Sequence, residues 1–376
     1  MKYKNLNILD YVKWRGDLSF DQDEFNEIDA LAFARLSYLS LDGIVDMSGD
    51  YVELKDAYKL YHSTIKDRPI YWEEDPKLFK LMAHSNRYQN IKLYYYDNIF
   101  NEEKVEQFSA LTIQFKDGEN FISYRGTDST INGWKEDLMM TFDDVVPAQI
   151  SSLDYLKSVS RGIRGDIYLG GHSKGGNLAI YSSLFCDWVS ALRTKAVYSF
   201  DGPGLQEGVF DNVKNKDAIN KITNYIPQSS LFGRMLSHKE KLCLVYSSAT
   251  GAMQHDIYSW SILGKKFVYA LKETSTSTIF NKTFHDYLAK LTKEQRAEVV
   301  DIIFDIAEKC EFKTTDELAK QILLNFPTFV GSITSLTDEE SKTLREAFEV
   351  LKNSMLMGVK DELKNILPQI KDKKWL

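Results

Sequence analysis

Apolar segments with strand character alternate with helix-like segments through the middle of the chain. Apolar, β-branched and aromatic residues dominate the predicted strands, which are FSALTIQF (108–115), NFISYRG (120–126), DIYLGGHS (166–173), KAVYSF (195–200), KITNYIP (221–227) and KLCLVYSSA (241–249). Residues 151–162 and 177–193 carry apolar side chains at helical spacing. This alternation predicts an α/β fold in which helices flank a mostly parallel sheet.

The two ends of the chain lack this alternation. Helices are predicted for residues 24–40, 53–66 and 76–87. From about residue 270 the strand signals stop, and three segments have helix starts: Thr292 is a cap candidate in the first, and the other two begin with a threonine followed by acidic residues. These predicted helices are 291–310, 314–326 and 337–355. We therefore expect one domain over 1–270, in which residues 1–105 are helical and mixed, and a C-terminal helical appendage over 271–376.

Composition and charge limit the function classes. The chain has 376 residues, of which 43% are apolar, and this is enough to fill a large core. The formal net charge of −7 gives no reason to expect a nucleic acid as partner. The three cysteines are far apart and form neither a disulfide framework nor the Cys/His spacing of a zinc site. We expect no metal and no organic cofactor.

Targeting signals are not evident in the sequence. The N-terminal segment MKYKNLNILDYVKWRGD has no apolar stretch of the kind that a signal peptide needs. No later segment has the run of about 18 apolar residues that a transmembrane helix needs. We expect no integral membrane segment and, by default, a cytoplasmic location, while the sequence leaves the oligomeric state open.

The segment Gly171-His172-Ser173-Lys174-Gly175 has the G-x-S-x-G pattern of a nucleophile elbow. A strand is predicted to end at its first glycine, and a helix to begin just after its last. A serine on such a sharp turn has a strained backbone, and small neighbours relieve the crowding. We predict Ser173 as a nucleophile and expect His172 to brace the turn. The alternative is an ordinary glycine-rich turn.

Acyl transfer also requires donors for the negative oxygen of the tetrahedral intermediate. One donor is expected to be the backbone N–H of Lys174, the residue after the nucleophile. The second is expected at the end of an earlier strand, where Thr127 offers a backbone N–H and a hydroxyl. Without the serine motif, Thr127 and Asp128 would indicate only a turn that closes a strand.

A serine hydroxyl needs a histidine as its general base. In this fold the triad follows the order serine, acid, histidine, so His62 and His84 come too early in the chain. His255 follows the strand KLCLVYSSA by a short loop, from which it can reach the carboxyl edge of the sheet. We predict His255 as the base, whereas His238 precedes that strand and is expected at the opposite edge.

Several segments resemble known lipases. ISYRGTDSTINGWKEDL is similar to the oxyanion strand and loop of class 3 (fungal-type) lipases, YLGGHSKGGNLA to their nucleophile segment, and AVYSFDGPG to their following strand. The likeness is closer to a bacterial family of lipase-like proteins, the Mbeg1-like family, which has a similar N-terminal block, DYVKWRGDLSFDQDEFNEIDALAFARLSYL, and the same G-H-S-K-G-G-N elbow. The resemblance covers roughly residues 8–260 and implies an α/β-hydrolase fold and hydrolase chemistry without naming a substrate.

The triad acid is where the chain departs from class 3 lipases. Their acid follows the next-to-last strand, but here KITNYIP is followed by Gln228-Ser229-Ser230. We predict that Asp201, which directly follows KAVYSF, takes this role, because neighbouring parallel strands end side by side. Asp201 could instead only shape the Asp-Gly-Pro-Gly turn.

The segment after the oxyanion loop is where class 3 lipases carry a lid. Its large apolar residues favour a place in the core over a cover for an acyl pocket, and they are Trp134, Leu138, Met139, Met140 and Phe142.

These observations predict a serine hydrolase that cleaves a lipid or small-molecule acyl ester through a Ser-His-Asp triad and an acyl-enzyme. The missing carboxylate after KITNYIP favours a rival, a non-catalytic binding module on the same fold. A second rival is an acyltransferase, which would use the same residues with another acceptor alcohol.

Overall fold

The computed structural model describes residues 6–64, 68–128 and 131–273, together with a few isolated positions between 292 and 342. The chain divides into two compact units, one of residues 1–128 and 132–271 and one of residues 129–131 and 272–376. Most of the predicted appendage, 271–376, lies outside the described residues, so its three helices stay predictions.

An eight-stranded sheet forms the centre of the first unit, and its strands lie in the order in which they follow one another along the chain. They are β1 Val52–Glu53, β2 Lys92–Asn101, β3 Glu106–Lys116, β4 Glu119–Tyr124, β5 Asp166–His172, β6 Thr194–Phe200, β7 Ile222–Pro227 and β8 Lys241–Val245. Strands β1 to β4 pair antiparallel, and β4 to β8 pair parallel. A small antiparallel pair follows, β9 Ile262–Leu263 and β10 Lys266–Phe267.

Helices cover both faces of this sheet. They are α1 Ile8–Arg15, α2 Glu27–Leu36, α3 Leu54–Thr64, α4 Asp75–Ala83, α5 Ile131–Met139, α6 Pro147–Gly162, α7 Lys174–Phe185 and α8 Trp188–Arg193. Helix α2 packs on β4, β5 and β6, and helices α6 and α7 pack together on the other side. The predicted α/β-hydrolase fold, with its mostly parallel sheet flanked by helices, is confirmed.

Alternating side chains of the strands fill two separate apolar cores. In β4, Phe121 belongs to the core beneath the N-terminal helices, whereas Ile122 belongs to the core beneath α6 and α7. Because successive residues of a strand point to opposite faces, a strand covered on both sides must be apolar throughout. This explains the continuous apolar segments from which the strands are predicted.

Local capping sets the bounds of α2, which is shorter than the predicted helix 24–40. The side chain of Asn26 accepts the backbone N–H of Ile28, and the Asp29 carboxylate accepts the backbone N–H of Asn26. This capping box satisfies N–H groups that have no partner within the helix. The helix therefore begins at Glu27.

Strand β2 and the segment 177–193 are among the elements that differ from the sequence prediction. The sequence does not predict strand β2, because a bulge between Tyr94 and Asp97, with Tyr95 at a φ of 51°, interrupts its alternation. The predicted helix 177–193 is two helices, since α7 ends at Phe185 and Asp187 caps α8 through the backbone N–H groups of its first turn.

Among the residues that the structure describes, no helix combines the length and the apolar character needed to cross a bilayer.

Candidate active site

Ser173 lies on the sharp turn between β5 and α7. Its φ of 59° and ψ of −130° fall in a region that non-glycine residues rarely adopt. A Cβ atom added to Gly171 would lie 2.4 Å from the carbonyl carbon of Gly175, and one added to Gly175 would lie 2.1 Å from the Tyr124 oxygen. Both glycines are therefore required by close backbone contacts, and the turn has the geometry expected of a nucleophile elbow.

The structure brings Asp201 and His255 together. The distance from Nδ1 of His255 to Oδ2 of Asp201 is 2.6 Å, and the two side chains are 15% and 1% exposed. Asp201 directly follows β6, and its backbone N–H donates to the carbonyl oxygen of Tyr225. The other carboxylate oxygen accepts the Ser230 hydroxyl and the Gly233 N–H. These bonds fix the carboxylate in one orientation behind the imidazole.

A short turn after β8, Gly251–His255, carries the imidazole to the carboxyl edge of the sheet. The ring of His255 contacts two other rings, with centroid distances of 4.5 Å to His172 and 4.3 Å to Phe232. Because Nδ1 of His255 bonds to Asp201, Nε2 is the ring nitrogen that can exchange a proton with another group.

His172 braces the elbow and also holds the backbone of His255. A guanidinium nitrogen of Arg35 lies 3.1 Å from Nδ1 of His172, and because guanidinium only donates, Nδ1 must accept. Nε2 then carries the hydrogen and donates to the carbonyl oxygen of His255 at 2.9 Å. Burial, with the neighbouring His255 and Arg35, holds the pKa of His172 well below its usual range. His172 is therefore neutral and acts as a fixed donor.

The N-terminal helices hold the other side of the same loop. Arg35 of α2 forms a buried ion pair with Asp75 of α4, with a nitrogen to oxygen distance of 2.6 Å. Asp75 also accepts the hydroxyl of Tyr258 at 2.6 Å. Since Tyr258 lies three residues after His255, the histidine loop is held on both sides by contacts that begin at Arg35.

The end of β4 approaches the elbow closely. A Cβ atom added to Gly126 would lie 2.4 Å from the His172 carbonyl oxygen and 3.1 Å from the Cβ of Ser173. Thr127 comes next, and its hydroxyl donates to Oδ2 of Asp137 at 2.5 Å. Lys174 is the first residue of α7, where backbone N–H groups have no acceptor within the helix. Thr127 thus follows a residue that lies against the elbow, and Lys174 directly follows the serine, while their role as oxyanion donors stays a prediction.

Asp137 is not recognisable from the sequence. It lies in α5 and is partly buried, and burial raises the pKa of its carboxyl to about 6, against the lowering effects of Lys174 and Thr127. Its contact with Thr127 joins two residues ten positions apart, one in a loop and one in a helix, and no known sequence motif has this spacing. The same holds for Arg35, whose role depends on a contact between distant parts of the chain.

The large apolar residues after the loop that carries Thr127 are expected in the core, but most of them are not fully buried. Met140 is buried, but Trp134 is 38% exposed. Leu138, Met139 and Phe142 are partly buried. Helix α5 therefore presents apolar side chains that the core does not fully cover.

The alternative histidine is held elsewhere. Nδ1 of His238 lies 2.6 Å from Glu240, and this pair precedes β8, whereas His255 follows it. His238 therefore lies just before the start of β8, at the edge of the sheet opposite to that of His255, as expected. In the described part of the chain, no cluster of three or more His, Cys, Asp or Glu side chains is arranged to hold a metal ion.

Solved structures similar to this chain include two lipases. M37 lipase has 16% sequence identity and a TM-score of 0.35, over 56% of this chain and 70% of that chain. Lip2 lipase from Yarrowia lipolytica has 13% identity and a TM-score of 0.37, over 65% of this chain and 84% of that chain. A search of curated proteins found no match.

One protein-family model matches more than half of the chain, over residues 82–305, and its description is Mbeg1-like. The matched segment includes the loop that carries Thr127, the elbow and the loop that carries His255. The chain belongs to the Mbeg1-like family.

Proposed function

We propose that this protein is a serine hydrolase that cleaves acyl esters, with Ser173 as nucleophile, His255 as general base and Asp201 as the group that orients the base. The observation that carries the proposal is the 2.6 Å contact between Asp201 and His255, because the His255 ring lies 4.5 Å from that of His172, the residue directly before the serine on the strained elbow. A serine, an imidazole and a buried carboxylate in this relation are the groups that acyl transfer needs.

The first half-reaction forms an acyl-enzyme. Oγ of Ser173 attacks the carbonyl carbon of the ester while Nε2 of His255 takes the hydroxyl proton. The backbone N–H groups of Lys174 and Thr127 stabilise the negative oxygen of the tetrahedral intermediate. When the intermediate collapses, the bond to the alcohol breaks, and His255 returns the proton to the leaving alkoxide.

The second half-reaction repeats these steps with water. His255 takes a proton from the water as it attacks the acyl carbon, and the carboxylic acid leaves as Ser173 regains its proton. Asp201 keeps the hydrogen of His255 on Nδ1 and stabilises the imidazolium that forms in each half-reaction.

An apolar acyl group fits the surroundings of this site best. Helix α5, which contacts the oxyanion loop through Asp137, also carries Trp134 and Leu138, which are not fully covered by the core. Apolar side chains around a few polar catalytic groups favour an ester of a fatty acid or a similar apolar acid. The substrate class is therefore an acyl ester of a lipid or a small molecule.

Hydrolysis of p-nitrophenyl esters with short and long acyl chains tests this function. The wild-type protein is expected to release nitrophenol, and Ser173→Ala to reduce kcat by about 10⁴-fold or more. Equal activity of the two proteins would exclude Ser173 as nucleophile. Product analysis with an added alcohol distinguishes a hydrolase, which yields the free acid, from an acyltransferase, which yields a new ester.

A further inference from the structure

The residue after the nucleophile carries a buried positive charge. Nζ of Lys174 lies 2.8 Å from Oε2 of Glu136, and both side chains are 0% exposed. Glu136 belongs to α5, so this ion pair joins the start of the nucleophile helix to the segment that follows the oxyanion loop. The G-x-S-x-G pattern places no requirement on this position, so the pattern does not explain a buried lysine.

Every oxygen of the Glu136 carboxylate has a donor. One oxygen accepts the backbone N–H of Ala148 at 2.8 Å, and the other accepts that of Gln107 at 3.0 Å together with Nζ of Lys174. Lys174 also donates to the carbonyl oxygen of Gln107 at 2.9 Å. The pair thus connects α7 and α5 with strand β3 and with the first turn of α6.

Stability alone does not account for this pair. Burying two charges costs desolvation energy, and well-packed apolar residues of the same volume are often as stabilising or more so. A buried pair whose two side chains also hydrogen-bond to the backbone does, however, hold its elements in one arrangement, because any displacement leaves a charge without a partner.

The Lys174–Glu136 pair holds the two proposed oxyanion donors, Thr127 and Lys174, in their relative positions. Asp137, the neighbour of Glu136 in α5, accepts the hydroxyl of Thr127, and its Oδ1 lies 3.9 Å from Nζ of Lys174. Lys174 is therefore tied by its side chain to the segment that orients one donor, while its own backbone N–H is the other donor.

We propose that the Lys174–Glu136 pair is a positioning device that keeps the Thr127 donor in register with the Lys174 N–H and with Ser173. The inference rests on the proposed function, because it concerns the oxyanion donors of the same site. Donors must be fixed where the negative oxygen forms, and small misplacements of catalytic groups reduce kcat strongly.

The test compares two buried ion pairs in the full chain. The variant Lys174→Met/Glu136→Gln removes both charges of the site pair. Its control is Arg87→Met/Asp29→Asn, which removes a pair with the same 0% exposure of both side chains. The hydrogen bonds of the Arg87 side chain go to residues before Asp29 and to Asp29 itself, none of which belongs to the site.

The measurements are kcat and KM for a p-nitrophenyl ester, the binding of phenylboronic acid, and the urea midpoint of unfolding. The site variant is expected to lose about 10- to 100-fold in kcat with KM within about twofold, and to bind the boronic acid correspondingly more weakly. The control is expected to lower the urea midpoint with kcat within about twofold of wild type. Should the double variant not fold, Glu136→Gln alone is expected to lower kcat by about tenfold.

The outcomes separate the inference from the function on which it rests. A wild-type protein that hydrolyses the ester, with a site variant whose kcat matches that of the control, would overturn the inference alone. The same holds if Glu136→Gln leaves kcat unchanged. A wild-type protein without any hydrolysis, and without reaction with a fluorophosphonate, would overturn the proposed function and the inference together.

Discussion

A single hydrogen bond between Asp201 and His255 determines how the imidazole can act. The carboxylate is buried and has two further donors, Ser230 and Gly233, so it cannot turn away from the ring. A fixed acceptor on Nδ1 leaves Nε2 without a hydrogen in the neutral ring, which is the form that a general base requires.

Removing the charge of Asp201 tests this directly. Asp201→Asn is expected to lower kcat by about 10⁴-fold, because an amide can hold the ring in the wrong tautomer and cannot stabilise the imidazolium. Asp256→Asn is the matched control, since Asp256 adjoins His255 in sequence but accepts the backbone N–H of Tyr258. Its kcat is expected within about threefold of wild type. Equal losses in the two variants, measured on the same ester, would contradict the assignment.

The pKa of Asp137 makes stability depend on pH. It is about 6 in the folded protein, against an ordinary value of 3.8, so the folded state holds this proton more tightly. The stabilisation is fully present below about pH 4 and is lost as the pH rises through 6. From pH 4 to 7 the free energy of unfolding of the wild type is expected to fall by about 2 to 3 kcal/mol relative to Asp137→Asn. Urea unfolding at several pH values measures this, and parallel profiles of the two proteins would contradict it.

At the scale of elements, the elbow depends on helices and strands that meet without room for side chains. Strand β5 must end close to β4, and α7 must begin beneath the end of β4, where Gly175 lies against the backbone of Tyr124. The strain at Ser173 persists because these packed elements leave its backbone no other conformation.

Substituting one glycine at the elbow and one away from it measures this constraint. Gly175→Ala is expected to lower the free energy of unfolding by about 2 to 4 kcal/mol, because its Cβ would lie 2.1 Å from a backbone oxygen. Gly208→Ala is the control, since a Cβ there meets nothing within 4 Å, and it is expected to change stability by less than about 0.5 kcal/mol. Thermal or urea unfolding of the two variants is the measurement, and similar stabilities would contradict the account.

The sequence predicts these elements only where a pattern is local. The strands buried on both faces are continuous apolar segments, and the serine motif lies between a strand and a helix, so both are evident from the sequence. Strand β2 is not evident, because its bulge at Tyr95 breaks the alternation. The pairing of Asp201 with His255 is one of two interpretations that the sequence leaves open, because it depends on how strand ends lie next to each other in space.

At the scale of the molecule, the N-terminal helices complete the fold and reach the candidate site. Nine of the residues in α2, from Ile28 to Leu36, are buried, and they cover one face of the sheet. Arg35 at the end of this helix contacts His172, which holds the backbone of His255. Arg35 and His172 lie more than 130 positions apart, so no local pattern in the sequence could predict their contact.

A truncation tests the role of these N-terminal helices. The family match begins at residue 82, but a chain that begins there lacks α1 to α3, strand β1 and nearly all of α4, and it exposes one apolar face of the sheet. Such a chain is expected to show no cooperative unfolding transition, whereas a chain that begins at residue 6 is expected to unfold at the wild-type urea concentration. Circular dichroism during urea titration is the measurement, and a cooperative transition of the shorter chain would contradict the account.

The most direct test of the central claim is to locate the site at which a fluorophosphonate reacts. The reagent is incubated with the folded wild-type protein and with His255→Gln, and the modified peptide is identified by mass spectrometry. We expect one adduct, on Ser173 of the wild type, and a rate lower by about 10³-fold or more in the variant. An adduct on another serine, or equal rates in the two proteins, would contradict the claim that His255 activates Ser173.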